Sequence, residues 1–326
     1  MRVTNQMLSN NFLRDMRTNL NNLSTIQTQM STGKQINKPS DDPAKASKIM
    51  QMYTEMDANK QYNSNIKNTA NWLDVTDTTL DNVGKVIGRI DELLVSTGGA
   101  ATDVNSRKAI KDEINQRVEE LSQLLNTSFD GKYIFGGTNG ASKPTGAAKY
   151  TDPTKNVEDI ELSLTATTDP EKTQSESKLL VEVSQGVTMD YNITASQVIN
   201  YGAVDPTDPE SPKDLMELLG NITTHLNSTD PTVTKNLTSA DLAGIQKAMS
   251  NVLKLRSEVG AKQNRMESAE TINSDQNLNM TEILTATEDI DITEKAMEYA
   301  TMQTIYMASL QTSAKVLQPS LLDYLR

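Results

Sequence analysis

The amino-acid sequence predicts a mainly α fold with a β-rich insertion. Both chain ends are expected to form an elongated bundle of long, coiled-coil-like helices, with a small β domain at its tip. Three observations predict this fold. Near both ends of the chain, apolar residues recur at alternating steps of three and four, as in a coiled coil. The same spacing continues through two long inner stretches. Between them, over residues 143–212, it gives way to short alternating segments rich in Thr, Ser, Asp and Pro.

The first helix is predicted over residues 4–32, because Gly33 suits the left-handed conformation that often ends a helix. Its apolar positions form a stripe only as wide as the a and d positions of a heptad. Such a stripe stays partly in water until a second helix packs on it. We therefore expect it to pack on a partner helix. The stripe comprises Leu13, Met16, Leu20, Leu23, Gln27 and Met30.

A second and much longer helix is predicted to begin near Pro43. Asp42 can accept hydrogen bonds from the first turn, and proline is favoured at the first helical position. A heptad pattern over residues 66–94 supports this helix. Within it, Gly84 and Gly88 indicate either surface positions or the close approach of a neighbouring backbone.

A third helix is predicted with an apolar face over residues 110–125. After it, the spacing of apolar residues changes from a helical to an alternating pattern. Asp130-Gly131 lies before a Tyr-Ile-Phe run, which predicts a short hairpin. The mainly β insertion follows, with strands expected at residues 160–164 and 179–183. Residues 146–216 hold thirteen acidic and five basic side chains, so this insertion should be an acidic, solvated outer domain.

Helical spacing returns near Lys213 and again from Ser239, and it leads into a terminal helix. Asp291 and Glu294 can form a capping box at the start of that helix. Its apolar stripe is as narrow as the one at the other end of the chain, so each end needs a partner. The stripe comprises Ile292, Ala296, Tyr299, Gln303, Tyr306, Leu310, Ser313 and Leu317.

This order of elements predicts five segments, with both chain ends returning to one place. They are residues 1–42 (terminal helix and loop), 43–142 (helical bundle, N-terminal part), 143–212 (β-rich outer domain), 213–290 (helical bundle, C-terminal part) and 291–326 (terminal helix).

The composition argues against an enzyme. The chain has no cysteine and one histidine, His225, which we expect to be solvated. Residues 136–140 are rich in glycine but lack the Gly-Lys-Ser/Thr ending of a phosphate loop. The acidic residues at positions 41–42 and 288–291 fit helix caps better than metal ligands or glycosidase carboxylates. We therefore predict no catalytic residue, no cofactor and no metal site.

Charge and hydropathy limit the partners. The net charge of −12 disfavours nucleic acid. No apolar run approaches the roughly 18 residues that span a bilayer, which predicts no membrane partner, and no cleavable secretory signal is expected. These ordinary signals indicate the cytoplasm, although specialised export routes recognise their substrates differently.

Three motifs, in order, resemble the bacterial flagellin superfamily. They are Met1-Arg-Val-Thr-Asn-Gln-Met, the loop of residues 31–43 that ends in Pro-Ser-Asp-Asp-Pro, and the Arg256-Ser-Glu-Val-Gly-Ala-Lys-Gln-Asn-Arg segment. The resemblance covers about residues 1–140 and 240–326. Within the family, four segments are more similar to proteins of the hook–filament junction than to filament flagellins. They are the Pro-Ser-Asp-Asp-Pro loop, residues 71–74 around Trp72, residues 133–138 and residues 320–326.

The resemblance implies a structural, extracellular protein of the bacterial flagellum without a cofactor. It implies export through the flagellar type III apparatus without a cleavable signal, with an export chaperone on the C-terminal helix. Copies of the chain are then expected to form a ring between the layer of hook-associated protein FlgK and the flagellin filament. The paired terminal helices would form the axial core, and the β domain would face outward.

We expect the terminal stripes to be the assembly interface, poorly ordered in the single chain and folded once stacked. Filament flagellin itself is the alternative within the family. In other classes, a ligand-binding or enzymatic β module on a coiled-coil stalk and a cytoplasmic coiled-coil scaffold stay open. The predicted interface residues are Leu13, Met16, Leu20, Leu23, Met30, Tyr299, Tyr306, Leu310 and Leu317.

Overall fold

The chain divides into two compact units in the computed structural model. Unit 1 combines Met1–Lys60 with Ser274–Arg326, and unit 2 is Gln61–Asn273. The structure describes residues 5–99, 103–152, 157–166, 168–202, 213–228 and 230–316.

Helices dominate the described part of the chain, and the strands lie in and just before the insertion, so the mainly α fold with a β-rich insertion is confirmed. A 3₁₀ turn over Lys235–Thr238 precedes the eighth helix. The helices are α1 (Asn5–Thr32), α2 (Pro43–Gly99), α3 (Val104–Leu125), α4 (Asp169–Glu176), α5 (Ala195–Ile199), α6 (Leu215–Asn227), α7 (Pro231–Thr234), α8 (Ala240–Glu288) and α9 (Ile292–Val316).

Three long helices begin or end at the residues that the sequence indicates. Asp42 and Asp291 cap α2 and α9, and one carboxylate oxygen of each accepts two amide hydrogen bonds from the first turn. The distances are 3.1 and 3.1 Å at Asp42, and 2.8 and 3.2 Å at Asp291. These backbone bonds lower the pKa of Asp291. Gly33, which follows α1, has a φ of 72°, as expected of a helix C-terminal glycine.

The strands pair only as hairpins. Asp130 and Gly131 have φ values of 51° and 75° and turn the first hairpin, which confirms that prediction. The two predicted strands are found: residues 160–164 lie within a longer strand, and the strand predicted at 179–183 runs one residue later, over Leu180–Ser184. The antiparallel pairs are β1 (Ser128–Phe129) with β2 (Lys132–Tyr133), β3 (Thr145–Asp152) with β4 (Val157–Leu164), and β5 (Leu180–Ser184) with β6 (Val187–Asp190).

The insertion is less purely β than the sequence predicts, because α4 and α5 lie within it. Thr168 forms a capping box with Glu171 at the start of α4, and Thr194 forms one with Gln197 at the start of α5. The Thr-rich composition that suggests strands also supplies helix caps, which is why alternation alone misleads here.

The core of unit 2 is a single apolar cluster shared by helices and strands. Side chains of α2, α3, α6 and α8 pack together, and Leu162, Val183 and Met189 of the strands belong to the same cluster. The insertion is therefore fixed to the helices by burial of apolar surface.

Polar contacts connect α8 to α2 within unit 2. Arg256 donates from Nε and Nη2 to both carboxylate oxygens of Asp77, at 3.0 and 3.2 Å, and from Nη1 to Asp81 at 2.6 Å. Gln263 Nε2 donates to Asp74 Oδ1 at 2.7 Å. Arg256 and Gln263 belong to the family-like motif on α8, so that motif holds the two long helices in register.

The glycines of α2 are not required for helix packing. A Cβ atom at Gly84 would lie 3.8 Å from Val252 Cγ1, and one at Gly88 would lie 3.9 Å from Met249 Cε. Both distances are ordinary contacts, so the backbones of α2 and α8 do not approach closely there.

The prediction that His225 is solvated is wrong. Its Nδ1 lies 2.5 Å from Asp241 Oδ2, and the exposed fractions of the two side chains are 19% and 3%. Asp241 lies in the first turn of α8, where burial raises the pKa of its carboxyl group despite the imidazole. The histidine compensates a buried acid, a role that no local pattern indicates.

We expect His225→Leu to lower the free energy of unfolding by about 3 kcal/mol, because it leaves the Asp241 carboxylate buried without its partner. Urea denaturation followed by the fluorescence of Trp72 would measure this loss. The double variant His225→Leu/Asp241→Asn should recover most of it. Equal stabilities of the single variant and the parent would contradict the assignment.

Candidate assembly surface

The two terminal helices pair with each other in unit 1. Helix α1 contacts α9. At the end of α1, Ile290 donates its amide hydrogen to Gly33 O at 3.1 Å, and Gln35 donates to Glu288 O at 2.6 Å. These bonds join the end of α1 to the start of α9, so the helices run antiparallel.

One face of each helix is covered, and its residues step by three and four, as expected of a coiled-coil pair. On both helices this face differs in part from the predicted stripe. The covered positions are Phe12, Met16, Asn19, Leu23, Ile26 and Met30 on α1, and Lys295, Tyr299, Met302, Tyr306 and Ser309 on α9.

The predicted interface residues therefore divide into two groups. Met16, Leu23, Met30, Tyr299 and Tyr306 lie half-buried on the covered faces. The other described members, Leu13, Leu20 and Leu310, have exposed fractions of 43%, 47% and 42%. Leu317 lies outside the described residues.

The exposed leucines lie beside the covered faces. Each follows a covered position by one residue, and one residue turns an α-helix by about 100°. Leu13 follows Phe12 and Leu20 follows Asn19 on α1, while Leu310 follows Ser309 on α9. Apolar side chains are thus left in water next to each covered face. We call Leu13, Leu20 and Leu310 the apolar flank.

An ion pair between a half-exposed lysine and a buried glutamate fixes the junction between the terminal and the long helices. Lys34 Nζ lies 2.6 Å from Glu288 Oε1, and the Glu288 side chain is only 8% exposed. Tyr53 OH donates to Glu288 Oε2 at 2.7 Å, and Lys34 Nζ donates to Tyr53 OH at 3.1 Å. The hydrogen bonds to Glu288 and Tyr53 raise the pKa of Lys34 to about 12.

Sequence reasoning missed this ion pair. It assigned Glu288 to helix capping, whereas the structure gives its carboxylate to a lysine and a tyrosine. Capping is correct for Asp42 and Asp291, while Asp41 Oδ2 accepts from Lys38 N at 2.9 Å within the loop. No signal in the sequence links Lys34 to a residue 254 positions away.

The described residues hold no group of three or more His, Asp or Glu side chains arranged to bind a metal ion. In the same described part, no helix combines the length and the apolar character needed to cross a membrane. The features of unit 1 that could serve a function are the paired helices, the apolar flank and the junction between Lys34 and Glu288.

Comparison with known proteins gives the class of this chain. The model of the bacterial flagellin N-terminal helical region matches residues 3–140, and that of the C-terminal helical region matches residues 242–325. The chain belongs to the bacterial flagellin family. It is a structural protein of the flagellum and not an enzyme.

Two relatives differ in how much of this chain they match. Flagellar hook-associated protein 3 of Escherichia coli (strain K12) is 25% identical over 318 residues, which cover 95% of each chain. A flagellin of Clostridium tyrobutyricum is 26% identical over 137 residues, or 42% of this chain and 36% of that one. The resemblance to the hook-associated protein therefore includes the insertion as well as both helical regions.

A solved structure has the same fold. The flagellar junction protein FlgL from Legionella pneumophila aligns with a TM-score of 0.54 at 13% identity, over 76% of this chain and 100% of that chain.

We expect Lys34→Met to loosen the junction, because Glu288 would then be buried without its cation. In hydrogen exchange, the amides of Gln35 and Ile290 should exchange about tenfold faster, as expected on losing one charge-assisted hydrogen bond. The control Lys60→Met removes an exposed lysine paired with Asp57 on α2 and should leave both amides unchanged. Unaltered exchange in Lys34→Met would show that the ion pair does not hold the junction.

Proposed function

We propose that this chain forms the junction between a layer of hook-associated protein FlgK and the flagellin filament. The observation that carries the proposal is the extent of the similarity. The match to hook-associated protein 3 spans 95% of both chains, whereas the filament core protein of Borreliella burgdorferi matches over 77% of this chain and the flagellin of Clostridium tyrobutyricum over 42%. The junction protein from Legionella pneumophila supports the same assignment through its fold.

The terminal helices are the proposed means of assembly. Covering an exposed leucine side chain is favourable by about 25 cal/mol for each Å² removed from water. Within the described chain, Leu13, Leu20 and Leu310 of the apolar flank keep 42–47% of their surface exposed. Neighbouring copies in a ring would cover it, so the half-buried residues hold α1 to α9 while the flank binds the neighbours. In this proposal the terminal pair completes its ordering only on assembly.

Export is proposed to precede assembly. The chain would leave the cell unfolded through the flagellar type III apparatus, with the export information in residues 1–32 and a chaperone on residues 291–326. The absence of cysteine supports this route, since no disulfide has to be kept open before passage. The final location is then the extracellular flagellum, in contact with other flagellar subunits.

We expect Leu310→Asp to abolish assembly on the hook and to leave unit 2 folded, because a carboxylate would be buried against the neighbour without a partner. Swimming in soft agar should fall to the level of cells without the protein, while circular dichroism of the purified chain changes little. Thr301→Asp is the matched control, because Thr301 is exposed on the opposite side of α9. Normal motility with Leu310→Asp would contradict the assembly role of the flank.

Removal of the chain tests the junction itself. Electron microscopy of cells without the protein should show hooks that lack filaments, with flagellin released into the medium. Filaments of normal length on those hooks would exclude the junction role.

Filament flagellin predicts a different result in a seeding assay. Purified junction protein added to filament fragments should cap them and stop, whereas flagellin should extend them continuously. Continuous extension would assign the chain to the filament.

A further inference from the structure

Two motifs that the junction role does not use meet at one cavity in unit 2. Trp72 of α2 contacts Phe129 of the β1–β2 hairpin and Tyr191, which follows β6. Both contacts are edge-to-face, with ring centroids 6.0 and 5.8 Å apart and interplanar angles of 89° and 88°. The rings fix one another, so the aromatic side of the cavity is rigid.

The cavity has a volume of about 500 Å³. Binding sites for small organic molecules have volumes of roughly 300–1,000 Å³, so one or two sugar-sized rings would fit. The lining residues are Asn68, Thr69, Trp72, Phe129, Asp130, Lys132 and Tyr191.

Trp72 carries a hydrogen-bond donor that the protein does not use. The side chain is 6% exposed, and its Nε1 is buried without an acceptor among the described residues. Buried polar groups are nearly always paired in proteins, because an unpaired one loses its bonds to water and gains none. Because Nε1 has less than 1 Å² of accessible surface, a ligand in the cavity does not reach it, and the unpaired donor is a local cost of packing the three rings.

The rim of the cavity carries further unpaired groups. The side chains of Asp130 and Lys132 are exposed, and within the described chain neither forms an ion pair or a hydrogen bond. Both groups are therefore free to bind a ligand. The amide of Asn68 adds both a donor and an acceptor.

These groups favour a neutral ligand rich in hydroxyl groups. One carboxylate and one ammonium give the rim no net charge, which disfavours phosphates and other polyanions. Hydroxyl groups both donate and accept, as the rim requires, and aromatic rings pack well against C–H surfaces. A bound peptide strand is less suitable, because β1 and β2 are two residues long and offer no continuous edge to extend.

We propose that this cavity binds a saccharide of one or two rings. The ligand's C–H face packs on the aromatic side chains. Its hydroxyl groups donate to Asp130 and accept from Lys132. This proposal does not depend on the junction role, so an experiment can refute either proposal without refuting the other.

Binding can be followed by intrinsic fluorescence, because Trp72 is the only tryptophan of the chain and lines the cavity. The full-length protein would be titrated with glucose, N-acetylglucosamine and maltose while the emission of Trp72 is recorded, with calorimetry as a second readout. We expect a saturable change with at least one of these sugars in the millimolar range, since an open site with few contacts binds weakly.

Three variants connect any binding to this cavity. Asp130→Asn removes the charge but keeps the turn, because asparagine also tolerates the left-handed conformation at φ 51°. It should weaken binding about tenfold, as expected on losing a hydrogen bond to a charged group. Lys132→Met should weaken binding similarly. The control Lys172→Met changes an exposed lysine on α4, outside the cavity lining, and should leave affinity unchanged.

Three results would overturn the proposal. The first is no saturable response to any of the three sugars by either method. The second is equal affinity in the parent, Asp130→Asn and Lys132→Met. The third is saturable binding of a short peptide probe, Gly-Phe-Gly amide, with no response to sugars, which would assign the cavity to a protein partner.

Discussion

The joining of two distant segments is the constraint on which the rest of the structure depends. Lys34 and Glu288 are 254 positions apart, yet they form an ion pair flanked by main-chain hydrogen bonds. Closing so long a loop costs entropy that a few polar contacts cannot offset. The core of unit 2 reduces that cost, because α2 and α8 are already held together there by buried apolar residues and by Arg256. The junction therefore requires the folded middle of the chain.

The two units differ in how completely they bury apolar surface. Unit 2 contains residues with no exposed surface, such as Leu80, Ile87 and Val259. In unit 1 the terminal helices cover one narrow face each and leave Leu20 and Leu310 exposed. A helix pair of this kind gains little from intramolecular packing alone. This difference supports a division in which unit 2 is stable by itself and unit 1 relies on neighbouring subunits.

Local chemistry made the helix ends and the first hairpin predictable, because caps and turns depend on residues within four positions of each other. The face of α1 was predictable only in part. Two heptad registers share Met16, Leu23 and Met30, and the sequence favours Leu20 where the structure covers Asn19. Choosing between them requires the partner helix. The partners of His225 and Glu288 were beyond prediction for the same reason, since both contacts join segments that only the fold brings together.

The six strands of the described chain form three separate hairpins, each made of two consecutive strands, and this has a consequence for the rate of folding. Contacts between neighbouring segments form quickly, whereas those between distant segments form slowly. If the chain is exported unfolded, as proposed, it can form its hairpins and helices without waiting for its far end. Only the pairing of α1 with α9 has to wait until the last residues have emerged. Under the proposed export, the order of emergence makes end pairing the final event.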